Sequence, residues 1–260
     1  MENGNGKKQD YKTLKDFIKL ISYYNSFNIP EAGVNEVAKA LDMAPSKVSR
    51  MLSTLTEEGF FEKNSLTDKY RVGIGFFEVG MVYVFNSPLR NIMAPHIEQM
   101  AKEKGCTASW AILHKNKVIV LGRVQNLNID LMTYRVGFNI SIHTTSLGKI
   151  LAAYLPEERQ DELINSIEFT KFTERSIVDP DKFKEHLKIV RERGYSTDDR
   201  ETRDDLCCIS VPVKNAKGEV VAGLCLMDEV SRSNIEKMTG HAGYLMEKGL
   251  FISRQLGYAK

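Results

Sequence analysis

Residues 34–73 read VNEVAKALDMAPSKVSRMLSTLTEEGFFEKNSLTDKYRVG, and the order of patterns along them decides the fold of the N-terminal region. Val34, Val37, Ala38 and Leu41 recur at i, i+3, i+4 and i+7, the stripe of one short amphipathic helix. Asp42-Met43-Ala44 interrupts it, and Pro45 suits the first turn of a second helix. That helix turns Val48, Met51, Leu52 and Leu55 inward. Two short helices joined by about three residues make a helix-turn-helix, and the small Ala38 lets them approach closely. Gly59 sits where a helix closes on a left-handed residue. Phe60–Lys63 then reads as a strand, Asn64–Asp68 as a turn and Lys69–Val72 as the returning strand. A helix-turn-helix followed at once by a hairpin is a winged helix.

The second helix leaves Ser46, Lys47, Ser49, Arg50, Ser53 and Thr54 outside, with no acid before Glu57. Hydroxyls and backbone amides reach phosphates, and Arg or Lys reads guanine edges, so this face suits the major groove. A solvated helix face has the same composition; the wing tips the reading toward DNA. Lys63, Lys69 and Arg71 place cations on that wing, near the phosphate backbone. Net charge gives no such lead. The chain carries +2 in all, and residues 1–73 hold 11 Lys and Arg against 10 Asp and Glu.

Residues 11–73 resemble the DNA-binding domain of the IclR family of bacterial regulators. The core S-x-V-x-R-x-L-x-T-L-x-x-x-G-F, Ser46 to Phe60, carries the likeness. Upstream, Leu14, Phe17, Ile18 and Ile21 give Tyr11–Tyr24 helical spacing. Residues 1–10 are polar and are expected to be a disordered tail, not a signal peptide.

Residues 74–85 are apolar nearly all round: Ile74, Phe76, Phe77, Val79, Met81, Val82, Tyr83, Val84 and Phe85. A helix apolar on every side must be buried on every side, which a connector within one monomer cannot achieve. Pairing with a second copy would do it; a strand or core helix of the next domain is the alternative. The resemblance implies an interdomain helix that pairs two DNA-binding domains.

Beyond Pro88, a helix to Lys104 precedes alternating strands and helices. Thr107–His114, Val118–Val124, Ile129–Arg135, Cys207–Lys214 and Val220–Met227 read as strands. Ser146–Leu155, Glu157–Ile167, Pro180–Arg193 and Ser233–Leu256 read as helices. Hairpin-linked strands with helices between the groups make an α+β domain around an antiparallel sheet. The segments ISIHTTSLGKILAAYLPEE and RERGYSTDDRETRDDLCCISVPVKNAKGEVVAGLCLM extend the resemblance to nearly the whole chain. It implies a GAF-like effector-binding domain. Carried over position by position, the effector residues are Met132, Ile140, Ser146, Leu147, Asp198, Leu206, Cys208, Cys225 and Met227. Family members that bind small keto acids tend to carry Gly-Ala at the Ser146-Leu147 position and serines at Cys225 and Met227. The softer residues here point toward a more apolar acid, aromatic or branched.

The expected architecture is therefore α+β in four parts: a tail at 1–10, a winged helix-turn-helix at 11–73, a linker and dimerisation helix at 74–87, and an effector domain at 88–260. The expected partners are double-stranded operator DNA, a small organic effector and a second copy, with a dimer of dimers possible. No cofactor or metal is expected, and the expected location is the cytoplasm. No run of 18 apolar residues occurs. The four cysteines, Cys106, Cys207, Cys208 and Cys225, lack zinc-ligand spacing and read as buried small hydrophobes. Gly148-Lys149 is followed by Ile150, so it is not a P-loop. His143 could serve a cysteine nucleophile, but a hydrogen-bonded structural histidine is the simpler reading. The acids from Asp198 to Asp205, beside Arg200 and Arg203, read as a solvated loop with local ion pairs. A cysteine-dependent enzyme and a protein-interaction adaptor are the competing functions. No nucleophile elbow or metal motif supports the first, and the hydroxyl-rich outer helix face with the cationic wing speaks against the second.

Overall fold

The computed structural model describes residues 11–26, 29–125 and 135–259. The expected tail at 1–10, the expected strand from Ile129 up to residue 134, and Met132 lie outside the described residues. The chain divides into two compact units, the first ending at Asn86 and the second beginning at Ser87.

The first unit holds α1 (Lys12–Ser26), α2 (Val34–Leu41), α3 (Pro45–Glu57), β1 (Phe61–Lys63), β2 (Tyr70–Val72) and α4 (Ile74–Asn86). Its core joins Leu20 and Tyr24 of α1 to Val37 and Ala38 of α2, Val48 and Leu52 of α3, and Phe61 and Tyr70 of the wing. Asp42 turns α2 into the α2–α3 connection with φ of 52°, a left-handed conformation that Asp tolerates. Pro45 opens α3. Gly59, at φ 77°, closes it. The Gly59 N–H donates to Thr56 O at 3.1 Å and the Phe60 N–H to Leu55 O at 2.8 Å, the paired bonds of a Schellman motif. The chain then enters the wing, where β1 and β2 pair antiparallel and Ala32 bridges Tyr70 as a third strand position.

The second unit holds α5 (Pro88–Lys104), β3 (Thr107–His114), β4 (Lys117–Val124), β5 (Asn139–Ile140), α6 (Ser146–Ala153), α7 (Glu157–Asn165), α8 (Pro180–Arg193), β6 (Ser196–Asp199), β7 (Leu206–Lys214), β8 (Val220–Glu229), α9 (Ile235–Thr239) and α10 (Ala242–Gln255). Six strands form one sheet in the order β5-β4-β3-β8-β7-β6, every pairing antiparallel. Period-2 alternation sorts its side chains. Leu206, Cys208, Cys225 and Met227 face one core with α6, α7 and α8. Cys207, Ile209, Leu224 and Leu226 face a second core with α5, α9 and α10. Burial on both faces explains why β7 and β8 read as near-continuous apolar runs.

Two details depart from the sequence reading. The expected closing helix at Ser233–Leu256 is two helices, α9 and α10, broken at Gly240-His241. The acid-rich stretch expected as a solvated loop begins as the edge strand β6, and it buries Asp198 and Glu201. The surrounding charges do pair locally, Arg200 with Asp199 and Arg203 with Asp205.

Candidate functional site

The DNA-facing candidates belong to α3 and the wing. Val48 and Leu52 are buried, which leaves Ser46, Ser49, Arg50, Ser53 and Thr54 exposed together on the opposite side. Lys47 is half-buried and ion-paired to Asp16 of α1. The wing cations are paired as well: Lys63 to Asp68 at 2.8 Å, Lys69 to Glu36 at 3.0 Å, and Arg71 to Glu62 at 2.7 Å. Among the described residues of the set, Arg50 is the cation without an acidic partner. Composition could not reveal this arrangement, since the partners come from α1, α2, β1 and the wing turn. Ion pairs at a solvated surface are weak and screened by salt, so a phosphate can compete for the cations.

The effector candidates converge in the second unit. Ile140, Leu147, Leu206, Cys208, Cys225 and Met227 all belong to the core beneath α6. The β7/β8 register sets Cys208 opposite Met227 and Ser210 opposite Cys225. Asp198 lies opposite Cys208 on β6. Ser146 opens α6 and reaches down to the sheet, with its Oγ 2.8 Å from Ser210 Oγ and 3.7 Å from Cys225 Sγ. The Ser196 hydroxyl donates to Ser146 O at 2.6 Å. The start of α6 is thereby tied to β6 and β7. All the described effector candidates are buried.

Asp198 is fully buried yet well supplied with donors. Its carboxylate accepts from Glu201 N at 2.8 Å, Thr202 N at 3.3 Å and Thr202 Oγ1 at 2.8 Å. Burial pushes its carboxyl above the usual range, against the opposing pull of Lys149 and these hydrogen bonds. Lys149, weighed in the sequence only as the lysine of a P-loop, is a functional candidate for another reason. Fully buried on α6, it donates to Glu201 Oε1 at 2.5 Å. Burial raises the Glu201 carboxyl to about 7 despite that lysine, and its Oε2 has no hydrogen-bond partner. One signal was available: a lysine inside the otherwise apolar SLGKILAA helix requires a buried acid elsewhere.

His143 is structural. Its Nδ1 lies 3.1 Å from Ser141 Oγ and its Nε2 3.0 Å from Thr170 O, and burial lowers its pKa. Burial drives the Cys207 thiol up to about 12, which makes it inert. For Cys225, burial also opposes the thiolate, but the polar surroundings of Cys208, Ser210, Ser146 and Ser109 outweigh it and hold this thiol below the ordinary range.

Sequence comparison decides the family. The model for the bacterial transcriptional regulator IclR C-terminal domain matches residues 81–254, and that for the IclR helix-turn-helix domain matches residues 30–65. The chain belongs to the IclR family. It is similar to the HTH-type transcriptional regulator XynR of Escherichia coli strain K12, at 25% identity over 247 residues, covering 95% of this chain and 98% of XynR. It is also similar to the glycerol operon regulatory protein of Streptomyces coelicolor, at 27% identity over 77% of this chain and 78% of that protein. Among solved structures, the Thermotoga maritima IclR shares 26% identity with a TM-score of 0.70, covering 94% of this chain and 98% of that one. An IclR homologue of Microbacterium hydrocarbonoxydans, complexed with 4-hydroxybenzoate, shares the fold at a TM-score of 0.77 and 19% identity, covering 94% and 98%.

This IclR-family protein is a DNA-binding transcriptional regulator with an effector-binding C-terminal domain, and members of the family are not enzymes. Among the described residues, no helix is long and apolar enough to cross a membrane.

Proposed function

We propose that this regulator binds operator DNA as a dimer or a dimer of dimers and is switched by a small organic acid held beneath α6. Ser46, Lys47, Ser49, Arg50, Ser53 and Thr54 of α3 enter the major groove, and Lys63, Lys69 and Arg71 of the wing contact the backbone. The observation that carries this reading is the clean division of α3: Val48 and Leu52 are buried, and five of the six outer candidates are exposed with a hairpin directly behind them. Pairing through α4 is supported by its surface. Phe77 is 62% and Phe85 70% exposed within one copy, and Val79, Val82 and Tyr83 are exposed beside them. Such a helix gains from covering that area at roughly 25 cal/mol per Å².

Met132, Ile140, Ser146, Leu147, Asp198, Leu206, Cys208, Cys225 and Met227 form the effector site. The amides at the start of α6 favour an anion, and the apolar and sulfur-bearing side chains favour an aromatic or branched body. An effector that prefers one arrangement of two paired copies shifts the spacing of their α3 helices, and its preference sets the size of the response. The working location of such a regulator is the cytoplasm.

Selection of duplexes from a random pool on the full-length protein tests the DNA reading. A half-site pair about one helical turn or a multiple apart, bound with a steep loss of affinity in salt, is the expected result. Salt-insensitive binding, or none, would overturn it. A melting-temperature screen of aromatic and branched acids tests the effector, since a ligand of the native state raises Tm by mass action. The rise should disappear in Asp198→Ala.

A further inference from the structure

Three sulfur atoms share one buried patch of β7 and β8. Cys208 stands directly opposite Met227, and Cys225 lies two residues before Met227 on the same face of β8. Cys208 and Cys225 belong to the same buried core beneath α6. All three side chains are at most 1% exposed.

Their register excludes the simplest thiol chemistry. Cys208 and Cys225 are two residues out of step, a diagonal pair whose Cβ atoms stand about 7 Å apart. A disulfide requires about 4 Å. The separation suits a single atom bridging two sulfurs.

The surroundings are arranged around Cys225. Its cross-strand neighbours are both serines, Ser109 on β3 and Ser210 on β7, and Ser146 approaches from α6. The Ser109 hydroxyl is fully buried and has no hydrogen-bond partner, and its residue stands opposite Cys225 in the β3–β8 register. Hydroxyl donors around a sulfur support a thiolate without adding a competing charge.

We propose that Cys208, Cys225 and the Met227 thioether bind a soft monovalent cation, Cu(I), in the effector domain. Two thiols give up two protons to solvent and two thiolates close on the metal, so Cu⁺ and two RSH become [Cu(SR)₂]⁻ and two H⁺, with Met227 as a third, neutral donor. Thiolate and thioether ligands select such a cation. Zinc would need a tetrahedral set of four. Among the described residues, no three His, Cys, Asp or Glu side chains converge. Asp198 beside Cys208 already accepts three hydrogen bonds, and both ring nitrogens of His143 are engaged. The inference rests on reading this face as the effector site, because a domain that opens there for a ligand gives the fully buried cluster a path for the ion.

The test is an anaerobic titration of reduced full-length protein with Cu(I), in competition with a chromophoric Cu(I) chelator. One Cu(I) per chain is expected, with thiolate-to-copper absorption in the ultraviolet and an X-ray absorption shell of two to three sulfurs. Cys225→Ser, which adds one hydroxyl to a hydroxyl cluster, should lower affinity at least 100-fold, and Met227→Leu by less. Cys207→Ser, on the opposite face of the sheet, should leave affinity unchanged. Failure to compete with the chelator, or equal binding in a folded Cys208→Ser/Cys225→Ser double variant, would overturn the site. Competition between Cu(I) and an organic effector separates the two readings. An effector that binds a protein indifferent to Cu(I) removes the metal site and leaves the effector reading intact. Cu(I) held at the two thiols without any effect on effector binding keeps the metal site and removes the effector reading.

Discussion

The Lys149 ammonium, fully buried in α6, is bound to Glu201 Oε1 at 2.5 Å across to the loop that follows β6. The pair fixes the helix whose first residue, Ser146, touches Cys225. It also makes the C-terminal domain sensitive to pH. The Glu201 carboxyl rises from 4.5 to about 7, chiefly through burial. The native state therefore holds this proton more tightly than the unfolded chain. The resulting stabilisation is complete below pH 4.5 and fades as pH climbs through 7. It is on the order of 3 kcal/mol. Urea unfolding from pH 5 to 8 should show wild type losing stability relative to Glu201→Gln. Parallel curves would mean that Glu201 does not titrate in that range. Lys149→Met strands the acid and should cost about 3–5 kcal/mol at pH 8, and less at pH 5.

The DNA face divides into two kinds of cation. Arg50 has no acidic partner among the described residues, whereas Lys69 is shared with Glu36. Arg50→Ala is expected to cost about 1–3 kcal/mol on the selected duplex and to relax its sequence preference. Lys69→Ala should weaken all duplexes alike and reduce the slope of log affinity against log salt by about 0.9. Fluorescence anisotropy over a salt series checks both. Reversed behaviour would exchange the roles given to helix and wing.

The exposed apolar surface of α4 gives a third expectation. Val82→Asp, at a position 60% exposed in one copy, should leave each copy folded and shift sedimentation velocity from dimer toward monomer. It should weaken operator binding in parallel, since two half-sites would no longer be engaged together. An unchanged dimer would move the pairing surface elsewhere on the chain.

Gly73 joins the wing to α4 by close backbone approach. Its N–H donates to Phe60 O at 2.8 Å, and a Cβ built there would lie 2.6 Å from Gly59 O. Gly73→Ala must push the wing away from the end of α3. Overpacking of this kind costs about 1–3 kcal/mol. Differential scanning calorimetry should show the first unit melting several degrees lower, with the second unit unmoved. A melting profile identical to wild type would show that the contact yields freely.

Much of the effector domain was legible because its signals are local. The hairpin strands β3 and β4, the helix α8 between Pro180 and Gly194, and the β7–β8 pair follow from periodicity and punctuation. β6 was not legible. STDD is four polar residues, and it becomes a strand only because β7 supplies its hydrogen bonds and α6 covers its inner face. The burial of Asp198 and Glu201 followed the same course, for no local pattern separates a buried acid from a solvated one when its donors come from other segments. The break between α9 and α10 was missed because Gly240 carries no left-handed stop signal; its φ of −58° is still helical.

The sequence by itself determined the helix-turn-helix, the wing, the apolar connector and the hairpin links that make an antiparallel sheet, since each depends on spacing within a few residues. Tertiary structure alone decided which charges are spent inside the molecule. Asp16 reaches Lys47 from 31 residues away, and Glu201 reaches Lys149 from 52. It likewise decided that Cys208, Cys225 and Met227 meet across two strands. Spacing sets which face a side chain occupies, but only the packing of distant segments sets what it meets there.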